Sequence, residues 1–171
     1  MYQGQGRALW MGVPRSPPDR TAPMSYRHRY MTSHGPAPRG DVRAEMRLLA
    51  SVPSLTQAPE SLLAAMVDLG HVVPVRPRWA LLTEKTAPEK AYVLLHGEVD
   101  VRRDGEDLGR CRSGEILGEL GIVRNRLRSA TVVTATEATV LHLSVPAFEQ
   151  LRAEHRYFRD LVGEAVDRKS A

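Results

Sequence analysis

The 171-residue sequence predicts a mainly β domain, a sandwich or barrel with helices packed at its ends. Three observations carry that prediction. Apolar residues recur at helical spacing before residue 70 and after residue 144. The region between them holds short β-branched runs separated by turn residues. Strands and helices do not alternate within that region, so the pattern is not that of a chain of βαβ units.

The elements follow in order from about residue 41. "DVRAEMRLLASVP" opens on Asp41 as a helix cap, keeps a helical apolar spacing and stops at Pro53. "APESLLAAMVDLGH" repeats the pattern, with Pro59 near the start, Leu62, Leu63, Met66, Val67 and Leu69 on one face, and Gly70 as C-cap. The period then shortens. "HVVPVR", "WALLTE", "AYVLLHGEVDVRR", "DLGRCR", "ATVVTAT" and "ATVLHLS" read as strands. Gly97 interrupts the third run and marks a bend or tight crossing. Asp104-Gly105 supplies the positive φ angles of a two-residue hairpin turn. After Ser144 the helical period returns, with Pro146 at a helix start and Phe148, Leu151, Phe158, Leu161, Val162 and Val166 pointing inward.

Residues 1–40 stand apart. They hold six of the twelve prolines, five of the thirteen glycines, and six arginines against one acid, Asp19. Such a segment buries too little apolar surface to offset its chain entropy, so a disordered basic tail is expected there and a folded domain over 41–171. The remaining 18 basic and 19 acidic residues nearly balance. The basic character therefore lies in the tail, and no direct DNA binding is expected of the domain. The single cysteine, Cys111, excludes an internal disulfide and a multi-cysteine metal site, and fits a cytoplasmic location. No apolar run approaches the length of a membrane span. His71, His96 and His142 occupy strand positions without metal-ligand spacing, so neither a metal site nor a catalytic constellation is expected.

One segment interrupts the strands. "GEILGELGIVRN" carries Gly118-Glu119-Leu120-Gly121-Ile122, too short for a core helix and too polar for a strand, and reads as one helical turn. The first turn of a helix has N–H groups without partners and a positive dipole end, which suits an anion. The glycines allow close approach of a ligand. Arg128 follows nine residues after Glu119 and can pair with the same anion. A carboxylate would repel a phosphate, so Glu119 is suited to a hydroxyl donor such as a ribose 2′-OH. The parts fit a phosphate joined to a sugar.

The string "LGELGIVRNRLRSATVVTATEATVLHLS" resembles the phosphate-binding cassette of the cyclic nucleotide-binding domain family, and the likeness extends over about residues 42–169, with Gly97 and Gly114 in the expected places. That family includes the regulatory subunit of cAMP-dependent kinase, cyclic nucleotide-gated channels and the bacterial catabolite activator. The resemblance implies an α+β, mainly β fold: an eight-stranded jelly-roll-like β-barrel flanked by N-terminal and C-terminal helices. It implies that Glu119 accepts the ribose hydroxyl. The N–H groups near Gly118, Leu120 and Gly121 would hold the cyclic phosphate, Arg128 would pair with it, and Ser129 would touch the phosphate or the base edge. Val166, Arg168 and Lys169 are the candidates for a lid over the base. Leu117 stands for the usual aromatic, Leu127 for Pro, and Arg78 and Lys85 for glycines at barrel turns.

The expected function is that of a cytoplasmic sensor. It would bind a cyclic nucleotide, cAMP ahead of cGMP although Ser129 suits either, and signal through the C-terminal helix to a separate effector protein. The sequence stops before the dimer helix and DNA-binding domain of the activator, so a monomer without a cofactor is expected. The alternative is a degenerate fold that holds no ligand and serves as an interaction or structural module.

Overall fold

The computed structural model describes residues 41–170. The basic tail expected over residues 1–40 lies outside the described residues. Asp41 caps α1 (Val42–Ala50) by accepting from the Arg43 N–H at 3.0 Å. A 3-10 turn at Pro53–Leu55 leads into α2 (Glu60–Leu69), whose Leu62, Leu63 and Met66 are buried. Gly70 is the C-cap, yet its backbone is extended (φ −109°) and not left-handed. Space demands the glycine: a Cβ there would lie 2.8 Å from Leu141 Cδ1 and from the Met66 carbonyl.

Eight strands follow: β1 (His71–Val75), β2 (Ala80–Leu82), β3 (Lys90–His96), β4 (Glu98–Arg103), β5 (Glu106–Arg112), β6 (Ile116–Leu117), β7 (Thr131–Thr134) and β8 (Ala138–Ser144). They form two four-stranded antiparallel sheets, β1-β8-β3-β6 and β2-β7-β4-β5, in the jelly-roll manner and without closing into one barrel. Pro74 is tolerated because β1 is an edge strand of its sheet. Asp104 and Gly105 both have positive φ, 49° and 90°, and close the β4–β5 hairpin with Arg103 opposite Glu106. Gly97 marks the crossing expected of it, with φ +89° and no room for a side chain: a Cβ would lie 2.3 Å from the Glu137 carbonyl oxygen.

The two sheets and the helices make two cores, and β3 serves both. Ala91, Val93 and Leu95 face the helical cluster, while Tyr92 and Leu94 face the space between the sheets. Both faces are covered, which is why this strand reads as a continuous apolar run. In β8 the same alternation sends Leu141 and Leu143 to the helices and Ala138 and Val140 between the sheets. Cys111 belongs to the inter-sheet core. Burial, followed by a hydrogen bond to Glu115, pushes its thiol up to about 12, so it acts as a small hydrophobe.

Two helices close the domain. Ser144 caps α4 (Val145–Glu154) by accepting from the Ala147 N–H at 3.3 Å, with Pro146 in the first turn. An extended His155 separates it from α5 (Arg156–Arg168). Phe148 of α4 and Phe158 of α5 meet edge to face at 5.5 Å between ring centres. The buried stripe of α5 is Phe158, Val162 and Ala165, with Leu161 and Val166 half-buried beside it. No helix among the described residues is long and apolar enough to cross a membrane.

Candidate functional site

The glycine-flanked segment forms α3 (Glu119–Val123), a single short helix between β6 and β7. Gly118 is its N-cap in the left-handed region, φ +86°, and offers no side chain to cap the first N–H groups. A Cβ at Gly118 would lie 2.7 Å from an Arg128 guanidinium nitrogen, so backbone and arginine are in direct contact there. The other end is closed by Asn125. With φ +48° it donates its N–H to the Ile122 carbonyl, and Arg126 donates to Gly121. These two bonds are the Schellman arrangement, with Asn in place of the usual Gly.

Arg128 is fixed from three sides. Its backbone N–H donates to Thr86 O at 2.9 Å, and its carbonyl accepts from the Lys85 N–H at 2.8 Å. Its guanidinium donates to the carbonyls of Gly118 and Lys90. The residue is 5% exposed. Burial lowers its pKa, opposed by the charges of Glu119, Tyr92 and Glu89; an arginine keeps its charge in any case. Two of five N–H donors are used on these carbonyls, which leaves a positively charged fork beside the turn. Lys85 and Arg78 have φ of 61° and 62°, in the left-handed region. Lys85 thus takes up the left-handed backbone that places its N–H on the Arg128 carbonyl.

Glu119 is 1% exposed in the first turn of α3. Its Oε1 lies 3.1 Å from Lys169 Nζ, across a separation of fifty residues. The distance is that of an ion pair, but the contact lacks hydrogen-bond alignment, and Oε1 has no hydrogen-bond partner. The ammonium instead donates to the Ile116 carbonyl.

The sequence-derived residues therefore divide. Gly118, Glu119, Gly121 and Arg128 gather around the turn, and Leu120 is half-buried beside them, with its carbonyl accepting from the Arg124 N–H at 3.0 Å. Ser129 is exposed, and its carbonyl accepts from Arg103 Nε at 2.9 Å. Among the lid candidates, Lys169 reaches Glu119. Val166 packs into the helical core, which also takes Ile122 and Val123 of α3. Arg168 instead lines a shallow open cleft with Pro53, Ser54, Ser113, Gly114 and Glu115.

Two further residues belong to the surroundings. The Tyr92 hydroxyl is buried without a hydrogen-bond partner, and burial pushes its pKa up to about 12 although the Arg128 charge opposes this. Lys90 has its ammonium 5.7 Å from the Tyr92 ring centre, and burial lowers its pKa. Tyr92 was detectable in principle as an inward position of β3; nothing local in the sequence marks Lys90. Among the described residues no group of three or more His, Cys, Asp or Glu side chains is placed to hold a metal ion.

Residues 72–155 match the family described as "Cyclic nucleotide-binding domain". Over 97 residues the chain is 27% identical to the cGMP-dependent protein kinase egl-4 of Caenorhabditis briggsae, a match spanning 57% of this chain and 13% of the kinase. The regulatory domain of Toxoplasma gondii PKA with cAMP superposes with a TM-score of 0.62 at 16% identity, over 74% of this chain and 50% of that one. The regulatory subunit of a cAMP-independent protein kinase A from Trypanosoma cruzi, bound to guanosine, gives 0.64 at 23% identity, over 74% and 46%. The chain thus corresponds to half or less of the length of each.

Proposed function

We propose, from the premise that this chain belongs to the cyclic nucleotide-binding domain family, that it binds one cyclic nucleotide per monomer, cAMP ahead of cGMP. Arg128 pairs with the cyclic phosphate alongside the N–H groups of Gly118, Leu120 and Gly121. Glu119 accepts the ribose 2′-OH. The single observation that carries this reading is the burial of one guanidinium and one carboxylate on either side of an uncapped glycine turn. Buried charges are costly unless something pairs with them, and a phosphate joined to a sugar offers one group to each. The output is the position of α5, read by a partner protein. A monomer is favoured because α5 already spends its apolar stripe on its own core. A second reading, a fold that holds no ligand and acts as an interaction module, is favoured by one contact: Lys169 already stands on Glu119.

Calorimetric titration of the full chain with cAMP and cGMP tests the proposal. Arg128→Leu removes both the charge and the fork. It is expected to weaken cAMP binding by about 30-fold or more, the scale on which a desolvated charge contact is lost. Equal affinity in parent and variant would remove Arg128 from the phosphate; heatless titrations with both nucleotides would favour the second reading.

A further inference from the structure

We propose that Lys169 is an intramolecular competitor for the sugar position, so that only a ligand whose hydroxyl replaces its ammonium on Glu119 is admitted efficiently and frees the end of α5. This rests on the ligand reading above. The observations are geometric. Lys169 is the C-cap of α5, and its side chain, 27% exposed, is drawn inward to a carboxylate that is 1% exposed. Its Nζ sits 3.1 Å from Glu119 Oε1 and donates to Ile116 O. A second tether lies beside it: Arg124, the C-cap of α3, donates to Ser170 Oγ, which donates in turn to the Val166 carbonyl. The last turn of α5 is therefore tied at two points to the segment expected to receive the nucleotide.

The pairing is poised rather than saturated. Glu119 Oε1 has a cation beside it but no aligned hydrogen bond. A ligand hydroxyl offers the bond that the ammonium does not make, and it takes the place where the ammonium stands. An ammonium near the acceptor also gives discrimination. A 2′-hydroxyl can replace it on Glu119, whereas a 2′-deoxy sugar has no group to do so and gains nothing by its removal. Displacement releases Lys169 from both Glu119 and Ile116, leaving the Arg124–Ser170 contact as the remaining hold. Ligand occupancy and freedom of residues 165–170 are thereby linked, because the ligand and the ammonium compete for one oxygen.

The test uses the full chain, Lys169→Met and Glu119→Gln, alone and combined, titrated with cAMP, cGMP and 2′-deoxy-cAMP. Amide exchange of residues 165–170 is followed in parallel. Lys169→Met is expected to tighten cAMP binding roughly fivefold, the equilibrium weight of a partly exposed ion pair. The gain should vanish for 2′-deoxy-cAMP and in the Glu119→Gln background. In the parent, cAMP should speed exchange at residues 165–170, and Lys169→Met should do so without ligand. If the parent binds cAMP and Lys169→Met binds it equally or more weakly, the competition is wrong and the ligand reading stands. If neither the parent nor Lys169→Met binds cAMP or cGMP, the ligand reading fails and the competition falls with it.

Discussion

The sheet β1-β8-β3-β6 is covered on both sides, but by different chemistry. Its helix side meets Leu, Val, Met and Phe side chains and two phenyl rings at 5.5 Å. Its inner side meets Tyr92 with an unpartnered hydroxyl, and His142 edge-on to it at 5.4 Å. Near the same Tyr92 lies the buried charge of Arg128. One strand, β3, builds both sides by its period of two. The difference teaches where free energy is stored and where it is held for use. Apolar burial on the helix side stabilises the fold without direction, whereas the inner side retains polar groups whose burial costs stability unless they are paired.

The helix side should break first and hardest. Phe148 is fully buried against Phe158, and Phe148→Ala is expected to cost about 3–5 kcal/mol in urea unfolding. Its affinity for cAMP should stay near that of the parent at temperatures where the variant is folded. A parallel loss of affinity would show that the two sides are not separable.

The inner side should respond to pH. Burial, then the nearby charges of Lys90 and His71, lowers the His142 pKa from 6.5 to about 4. The unfolded chain therefore takes up a proton between those values while the folded chain does not. The His142 contribution to stability is full above about pH 6.5 and is lost as the pH drops toward 4, by about 1–2 kcal/mol once solvent screening of this partly exposed group is allowed for. His142→Phe should flatten unfolding midpoints over that window. An unchanged slope would mean that His142 is as solvated folded as unfolded.

Much of this was legible in the chain itself. The Asp104-Gly105 turn, the crossing at Gly97, the Asp41 cap and the short helix at Glu119 each follow from local backbone chemistry. The gathering of Gly118, Glu119 and Arg128 was expected from the family resemblance, and the structure holds the arginine there through Thr86, Lys85 and Lys90, which no local pattern marks. Other features had no local signal. The strand Ile116–Leu117 has only two residues, too few to show a period. Ala165 is buried in the stripe of α5, but alanine is a weak mark in an apolar pattern; Leu161 and Val166 pack half-buried against the same core. Gly70 was expected to cap a helix and does, but its reason is the close approach of the Met66 carbonyl and Leu141 and not its own φ. The contact of Lys169 with Glu119 joins residues fifty positions apart, and only the fold brings them together.

The contact between Glu119 and the ribose bears most directly on the central claim, that the buried pair reads a sugar and a phosphate joined together. Calorimetry of the parent and Glu119→Leu, which leaves no acceptor at that position, each with cAMP and 2′-deoxy-cAMP, forms a cycle across the protein–ligand contact. A hydrogen bond from the ribose hydroxyl to a carboxylate predicts a coupling of about 1.5–3 kcal/mol. The variant should lose affinity for cAMP while losing little for the deoxy ligand. Equal losses for both nucleotides, and therefore zero coupling, would contradict the assignment of Glu119 to the ribose.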